Sequence, residues 1–510
     1  MKNDFFNLYC ERIVVIMYTV GFNNEKYLEL QSARIQERIA QFGNKLYLEF
    51  GGKLFDDYHA SRVLPGFEID SKVRMLSAMA DKVEIILVIN SLDIEKSKIR
   101  GDVGITYDAD ILRLIDEFRD RGLYVGSVVI GQYAGQASAD MFKAHLERLG
   151  LSVYFNHYIP EYPTNIPYIL SEEGFGKNDY IETTRPLVVV TAPGPGSGKM
   201  AACMSQLYHE HIRGINAGYA KFETFPVWNL SIKNPINIAY EAATLDLDDM
   251  NMIDPFHLEA YGETTVNYNR DIEVFPVLNT IFKRIWGESP YKSPTDMGVN
   301  MAGLCISDEE TCSNAAKQEI ISRYYALQCD IKSGRSNIDA LTKIEMLMNR
   351  AEVSLENRPV VLAALSKAKD SGTPSAAIEL TNGEILTGRT TPLLGASSAI
   401  LLNALKYLAG IDDKEKLLAP SLIEPIQKMK VGFLGNENPR LHTNEVLIAL
   451  SICSVTDPRL NKVIEQLPKL RHCEVHSSVI LSQVDINVFK KLGINVTCEP
   501  QHSGKKLYHK

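Results

Sequence analysis

Two apolar periods divide the first two-thirds of the chain. From residue 23 to about 42, Leu28, Leu30, Ile35, Ile39 and Phe42 make a mostly one-sided stripe at helical spacing. Beyond it, nearly unbroken apolar runs of strand length at 45–50, 83–90, 125–130, 151–157 and 187–191 alternate with helix-like segments at 71–81, 108–120 and 137–149. Strands that are apolar on both faces and separated by helices predict a parallel sheet covered on both sides. Residues 17–305 therefore read as an α/β region, one large or two fused doubly wound domains.

From 306 to 370 glycine and proline thin out and helical stripes take over at 320–327, 340–348 and 359–366. This helical segment is also expected to supply a homo-oligomer contact, since long amphipathic helices bury one face against something. Residues 371–510 return to a mixed pattern and read as a separate C-terminal α/β domain. Asn382-Gly383 between short apolar runs predicts a hairpin. A helix at 397–408, a strand ending at 431–435, a helix at 444–454 and a strand–helix–strand at 475–481, 485–492 and 494–498 follow.

The strongest chemical signal lies where the 187–191 run ends. Gly194, Gly196, Ser197, Gly198 and Lys199 follow the strand and precede a helical pattern at 200–208. Glycines let backbone N–H groups turn toward an anion, the helix start brings partial positive charge, and the lysine reaches terminal phosphates. The stretch is thus P-loop-like, a candidate cofactor site for ATP or another nucleotide with Mg²⁺. It departs from G-x-x-x-x-G-K-[ST] in two places, with Pro193 at the first glycine and Met200 where a hydroxyl would hold the metal. Ser197 or Thr191 is the candidate substitute. The nearest apolar run ending in an aspartate, the usual second magnesium arm, is Met252-Ile253-Asp254.

Composition narrows the partners. With 23% charged and 45% hydrophobic residues and a net charge of −9 without long like-charge blocks, neither a nucleic-acid nor a membrane-surface partner is expected. Eight scattered cysteines with no C-x-x-C pair suit a reducing cytoplasm. The apolar run at 13–22 is preceded by Asp4 and Glu11, lacks the positive n-region and small-residue cleavage site of a signal peptide, and is too short to span a bilayer. Met17 is a second candidate start, which would leave residues 1–16 as an N-terminal extension.

The stretches TAPGPGSGKMA, LYLEFGGKLFDDYHASRVLPGF, NMIDPFHLEAYG, TVNYNRDIEVFP and SPTDMGVNMAG carry a resemblance. They are similar to a bacterial family of uncharacterised proteins, known as a domain of unknown function, whose members are about this long. The resemblance runs from near Met17 to the C-terminus and implies no particular activity.

Between 217 and 303 polar residues recur in irregular, proline-punctuated stretches, as in ligand-binding loops past strand ends. Asp254, His257, Arg270 and Asp296 are the catalytic candidates, because Asp254-x-x-His257-x-Glu259 gathers groups able to move protons. A hydrogen-bonded loop explains the same residues. Lys221, Glu223 and Asn269 are candidates for substrate contact, with surface pairing as the alternative for Lys221 and Arg270. An earlier turn, Gly51-Gly52-Lys53, resembles the strand–Gly-Gly opening of amino-acid kinases, and it adds Lys53 and Asp56 to that set; Arg100 and Asp102 follow the next strand.

The C-terminal domain resembles zinc deaminases in the order of its elements, but the stretches 394–398 and 438–445 lack their H-x-E and P-C-x-x-C ligands. His442 and Glu445 read as a helix-start cap and surface pair. Whether any metal is held is left open. The sequence thus points to an enzyme of phosphotransferase or ligase type acting on a small phosphorylated ligand. A non-catalytic binding or regulatory protein, or a structural assembly protein, is the alternative.

Overall fold

A computed structural model describes residues 20–101 and 104–504. The 1–16 extension, Met17 and Asp102 lie outside the described residues. The chain divides into two compact units, residues 20–315 and, in the main, 316–510. The helix Glu309–Lys332 carries the backbone from one to the other. Among the described residues no helix is long and apolar enough to cross a membrane.

The first unit is built on β1 (Leu46–Phe50), β2 (Val83–Asn90), β3 (Tyr124–Tyr133), β4 (Ser152–His157), β5 (Leu187–Thr191), β6 (Gly218–Phe222) and, after a two-stranded ribbon of β7 (Asn251–Ile253) and β8 (Val266–Tyr268), β9 (Gly298–Val299). The seven main strands form one parallel sheet in the order β9-β6-β1-β5-β2-β3-β4. Every residue of β1, β2 and β5 is buried. That is the burial expected of strands covered on both faces, and it accounts for their unbroken Val/Ile/Leu runs.

The path of the chain explains where the polar loops fall. From β1 it skips one position to β2 and moves outward through β3 and β4; it then returns to the gap as β5 and crosses β1 to reach β6. Right-handed crossovers place the helices of these two opposite legs on opposite faces. The winding therefore reverses at β1 and β5, and the crevice outside their C-terminal ends is where such sheets bind ligands.

Residues 217–303 are not the irregular stretch their polar composition suggests. They hold β6, the helices Pro235–Ala243 and Asn269–Trp286, and β9. In the longer helix Ile272, Phe275, Leu278, Phe282 and Ile285 are buried at helical spacing, and Pro276 lies on the exposed side of that stripe. The short apolar run before Asp254 also differs from a magnesium arm, because β7 pairs antiparallel with β8 outside the main sheet.

The second unit is α/β as well. Its strands β10 (Ser375–Glu379), β11 (Ile385–Arg389), β12 (Glu474–Ser477) and β13 (Asn495–Cys498) are ordered β11-β10-β12-β13. The Asn382-Gly383 hairpin joins β10 to β11, and only β12 and β13 run parallel. The strand expected to end at 431–435 is instead the helix Pro420–Gly432, started by a proline at a first-turn position and ending in exposed Phe433 and Leu434. The helix Ala396–Leu408 is thus followed by another helix, and the order departs there from the deaminase pattern.

One charge is fully enclosed in this unit. Arg358, 0% exposed, donates to Thr497 Oγ1 (3.0 Å), Gln318 Oε1 (3.1 Å), Glu474 Oε2 (2.5 Å) and the carbonyls of Val475 (3.1 Å) and Asn495 (3.3 Å). A guanidinium survives burial only with such complete pairing, and removing it takes from Glu474 its Arg358 charge partner and from the Val475 and Asn495 carbonyls one donor each. Arg358→Leu is expected to cost about 3–5 kcal/mol, read as a lowered urea midpoint for the second unit. A loss below about 1 kcal/mol would show that the enclosed charge is not needed for stability.

Candidate functional site

Three parallel strand ends meet at the reversal point. β1 lies between β5 and β6, with Glu49 in register with Val190 on one side and Lys221 on the other. The two glycine turns that are far apart in sequence, after β1 and after β5, are therefore neighbours.

After β5, Gly196 and Gly198 have φ of 75° and 93°, and a Cβ at either would meet nothing within 4 Å. Glycine is needed there for the left-handed backbone and leaves open space above it. Gly194 is needed for a different reason, since a side chain would collide with the Tyr107 hydroxyl. Ser197 Oγ donates to Gly194 O (2.8 Å), which braces the turn. Lys199 is the first residue of the helix Lys199–Ile212, and no side chain caps the start of that helix. Its leading N–H groups face the loop, as an anion would require.

Lys199 is half-buried, and among the described residues no carboxylate lies within ion-pair distance of its Nζ. Burial lowers its pKa, and the nearby cations Lys221 and Arg270 lower it further, against the pull of Glu49. The ammonium is thus held in a place that lacks a full counter-charge. Glu49 is itself buried in β1 and accepts a hydrogen bond from Tyr219 Oη (2.7 Å).

At the end of β6, Lys221 is ion-paired with Asp271 and lies 2.8 Å from Glu223. Burial would lower the lysine's pKa, but Asp271, Glu223 and Glu49 raise it. Glu223 responds the other way. Its burial, opposed by Lys221 and helped by Asp271, pushes its carboxyl up to about 8. A carboxyl that keeps its proton at neutral pH can donate as well as accept, which is the property expected of an acid–base group.

Asp271 and Arg270 sit in the first turn of Asn269–Trp286, a second long helix with no side-chain cap, and this helix packs on Lys199–Ile212. Arg270 forks onto Asp249 (2.5 and 2.9 Å), and Asn269 holds the preceding turn by accepting from Met250 N (3.0 Å). The charges that act on Lys199 thus come from Glu49 in β1, Lys221 at the end of β6 and Arg270 at the start of the second helix, and Glu223 pairs with that same Lys221; Asn269 adjoins Arg270 in sequence.

Lys53 and Asp56 lie in the loop leaving β1, Lys53 exposed and Asp56 half-buried. The neighbouring Asp57 is committed to Lys72 (2.7 Å).

Asp254, His257 and Asp296 form a separate group beside β9. Asp254 is fully buried and accepts from the N–H groups of Phe256 and His257 (both 3.0 Å) and from Thr295 Oγ1 (2.7 Å), so its oxygens are taken up in capping. His257 Nδ1 lies 2.9 Å from Ser293 Oγ, and Asp296 accepts from Tyr261 Oη (2.9 Å). Three strand spacings, about 14 Å, separate β9 from β5 in the sheet order. The side-chain hydrogen bonds of these three residues join them to one another's segment, 254–296, and among the described residues none reaches the glycine loop.

Glu49 is the functional candidate that sequence reasoning passed over. A lone carboxylate inside the otherwise apolar strand LYLEF was the available signal, because a charge in a doubly covered strand demands a purpose. Among the described residues no group of three His, Cys, Asp or Glu side chains is arranged to hold a metal ion.

Two family models cover the chain: "Domain of unknown function DUF1846, N-terminal" matches residues 20–352, and the C-terminal model of the same name matches 356–508. A UPF0371 protein of Streptococcus thermophilus (strain ATCC BAA-491 / LMD-9) is 55% identical over 96% of this chain and 99% of its own length. A UPF0371 protein of Streptococcus pyogenes serotype M5 (strain Manfredo) is also 55% identical, over 97% of this chain and all of its own. The solved Aeropyrum pernix ORC2 protein in its ADP form aligns at 10% identity with a TM-score of 0.16, too low to imply a shared fold. By both its domains and its full-length relatives, the chain belongs to the bacterial DUF1846, or UPF0371, family.

Proposed function

We propose that the first unit binds the phosphate groups of a small ligand, a nucleotide being the leading case, in the crevice outside β1, β5 and β6. The observation that carries this reading is Lys199, a half-buried ammonium with no ion-pair partner among the described residues, at the uncapped start of a 14-residue helix. A phosphate would supply the missing counter-charge and accept from the N–H groups of 196–199. Arg270 at the second helix start and Lys221 at the end of β6 would add attraction.

For phosphoryl transfer or ligation, Glu223 is the group placed to move a proton. In the ionised form it would take a proton from an attacking hydroxyl or amine, and in the neutral form it would donate one to a leaving group. Mg²⁺ would arrive with the nucleotide. Met200 stands where a hydroxyl would meet that ion, which favours a second reading, that the site holds its phosphorylated ligand without turnover. The C-terminal unit is assigned a binding or assembly role, its deaminase-like order being interrupted by Pro420–Gly432.

Isothermal titration of the full chain with ATP, ADP and inorganic phosphate, with and without Mg²⁺, tests the binding. At least one is expected to bind, and Lys199→Ala to weaken it about 10–100-fold, the value of one charged hydrogen bond. Absence of binding, or equal affinity in the variant, would end the proposal.

The same titration at several pH values tests Glu223. Its carboxyl is neutral below about 8 and negative above, so the affinity for an anion is expected to fall as pH rises from 7 to 9. Glu223→Gln should remove most of that fall; an identical pH profile in the variant would contradict the assigned role.

A further inference from the structure

One helix of the second unit lacks the charged outer face that a surface helix normally carries. Between Glu445 and Asp457, a stretch holding most of Thr443–Ser454, the chain has no charged residue. Val446, Ala449 and Leu450 are buried in the core of the unit. The other side of the helix sets Ile448, Ile452 and Val455 in solvent at spacings of four and three, with Ile452 67% and Val455 85% exposed. A helix that is apolar on both sides is the kind that is covered on both.

A second apolar group stands beside it. The helix Pro420–Gly432 ends in a tight turn in which Phe433 and Leu434 both donate their N–H groups to Met429 O (3.0 and 3.2 Å). That end is anchored to the first turn of Thr443–Ser454, because the buried Lys430 Nζ donates to Arg440 O (2.8 Å) and to Glu445 Oε2 (2.7 Å). Glu445 lies one turn before Ile448. The ion pair neutralises the charges at this junction and leaves Met429, Phe433 and Leu434 exposed on the same corner of the unit as Ile448, Ile452 and Val455.

These six side chains together expose on the order of 500 Å² of apolar surface, the upper end of what a soluble monomer leaves uncovered. At the roughly two-thirds apolar content of homodimer interfaces, this corresponds to about 800 Å² per partner, the share each chain gives to an interface of standard size. Shape selects the occupant. Side chains as exposed as Phe433 and Val455 stand out as knobs and do not line a groove, so a helical or extended peptide finds no trough to lie in. A second copy presents the same knobs, which interdigitate about a two-fold axis. The stretch from Ile448 to Val455 brings no charge to be desolvated.

We propose that Met429, Phe433, Leu434, Ile448, Ile452 and Val455 form the face by which two copies of this chain pair into a two-fold symmetric dimer. The contact between copies thus lies at 429–455 and not in the 306–370 segment that the sequence pattern suggested. It is independent of the crevice in the first unit.

Sedimentation velocity of the full chain across micromolar concentrations tests it. The wild-type protein is expected at twice the 57.0 kDa mass of one chain. Ile452→Glu and Phe433→Asp each place a charge in the interface twice by symmetry, and each is expected to raise the dissociation constant at least about 10-fold. Both positions are exposed in the single chain, so far-UV circular dichroism is expected to stay unchanged and to show that only association is lost. Met141→Glu, at an exposed apolar position in the first unit, is expected to leave the dimer intact. A single-chain mass for the wild-type protein overturns the proposal, as does an assembly that both Ile452→Glu and Phe433→Asp leave at wild-type affinity.

Discussion

A parallel sheet buried on both faces can offer chemistry only at its ends. In β1, β2 and β5 every residue is enclosed, so the groups those strands position for solvent lie in the loops that follow them. The chain then fixes which end matters by returning β5 into the gap between β1 and β2. Because the winding reverses there, neighbouring loops diverge to opposite faces and leave a crevice. The glycine turn, the Gly51-Gly52 turn and the Lys221–Glu223 pair follow or end three adjacent strands through this one topological decision.

Electrostatics gives the crevice its character. Lys221 is balanced by Asp271, and Arg270 by Asp249, so neither alone makes an anion site. Lys199 is the exception, because its nearest carboxylate influence, Glu49, shares its charge with the Tyr219 hydroxyl and stays beyond ion-pair distance. Two uncapped starts of long helices add partial positive charge on the same side. The elevated pKa of Glu223 follows from the same crowding, since burial beside Asp271 penalises a further negative charge.

The legible part of the fold was the part with a single period. The unbroken runs at 83–90 and 187–191 coincide with β2 and β5, because a doubly covered strand needs apolar residues throughout. β6 was not legible: its sequence GYAKF starts with glycine and carries Lys221, which break the apolar run that would reveal a strand. The helix Asn269–Trp286 was hidden by Pro276 and by a polar first turn. At 431–435 an apolar run suggested a strand, yet Phe433 is 83% exposed beyond a helix end. Local hydrophobicity there does not report burial. For the site, the glycine–lysine turn could be found from local spacing, whereas its union with Lys221, Glu223 and Arg270 depends on strand order, which no local pattern encodes. Spacing also drew Asp254 and His257 into the same expectation, although their sequence neighbourhood is a capped helix start beside β9.

The most direct measurement of the central claim is a crystal structure of the full chain grown with ADP and Mg²⁺. Phosphate density within hydrogen-bond distance of the N–H groups of 196–199 and of Lys199 Nζ is the result this account requires. An ordered ADP bound elsewhere while the loop holds only water would contradict it.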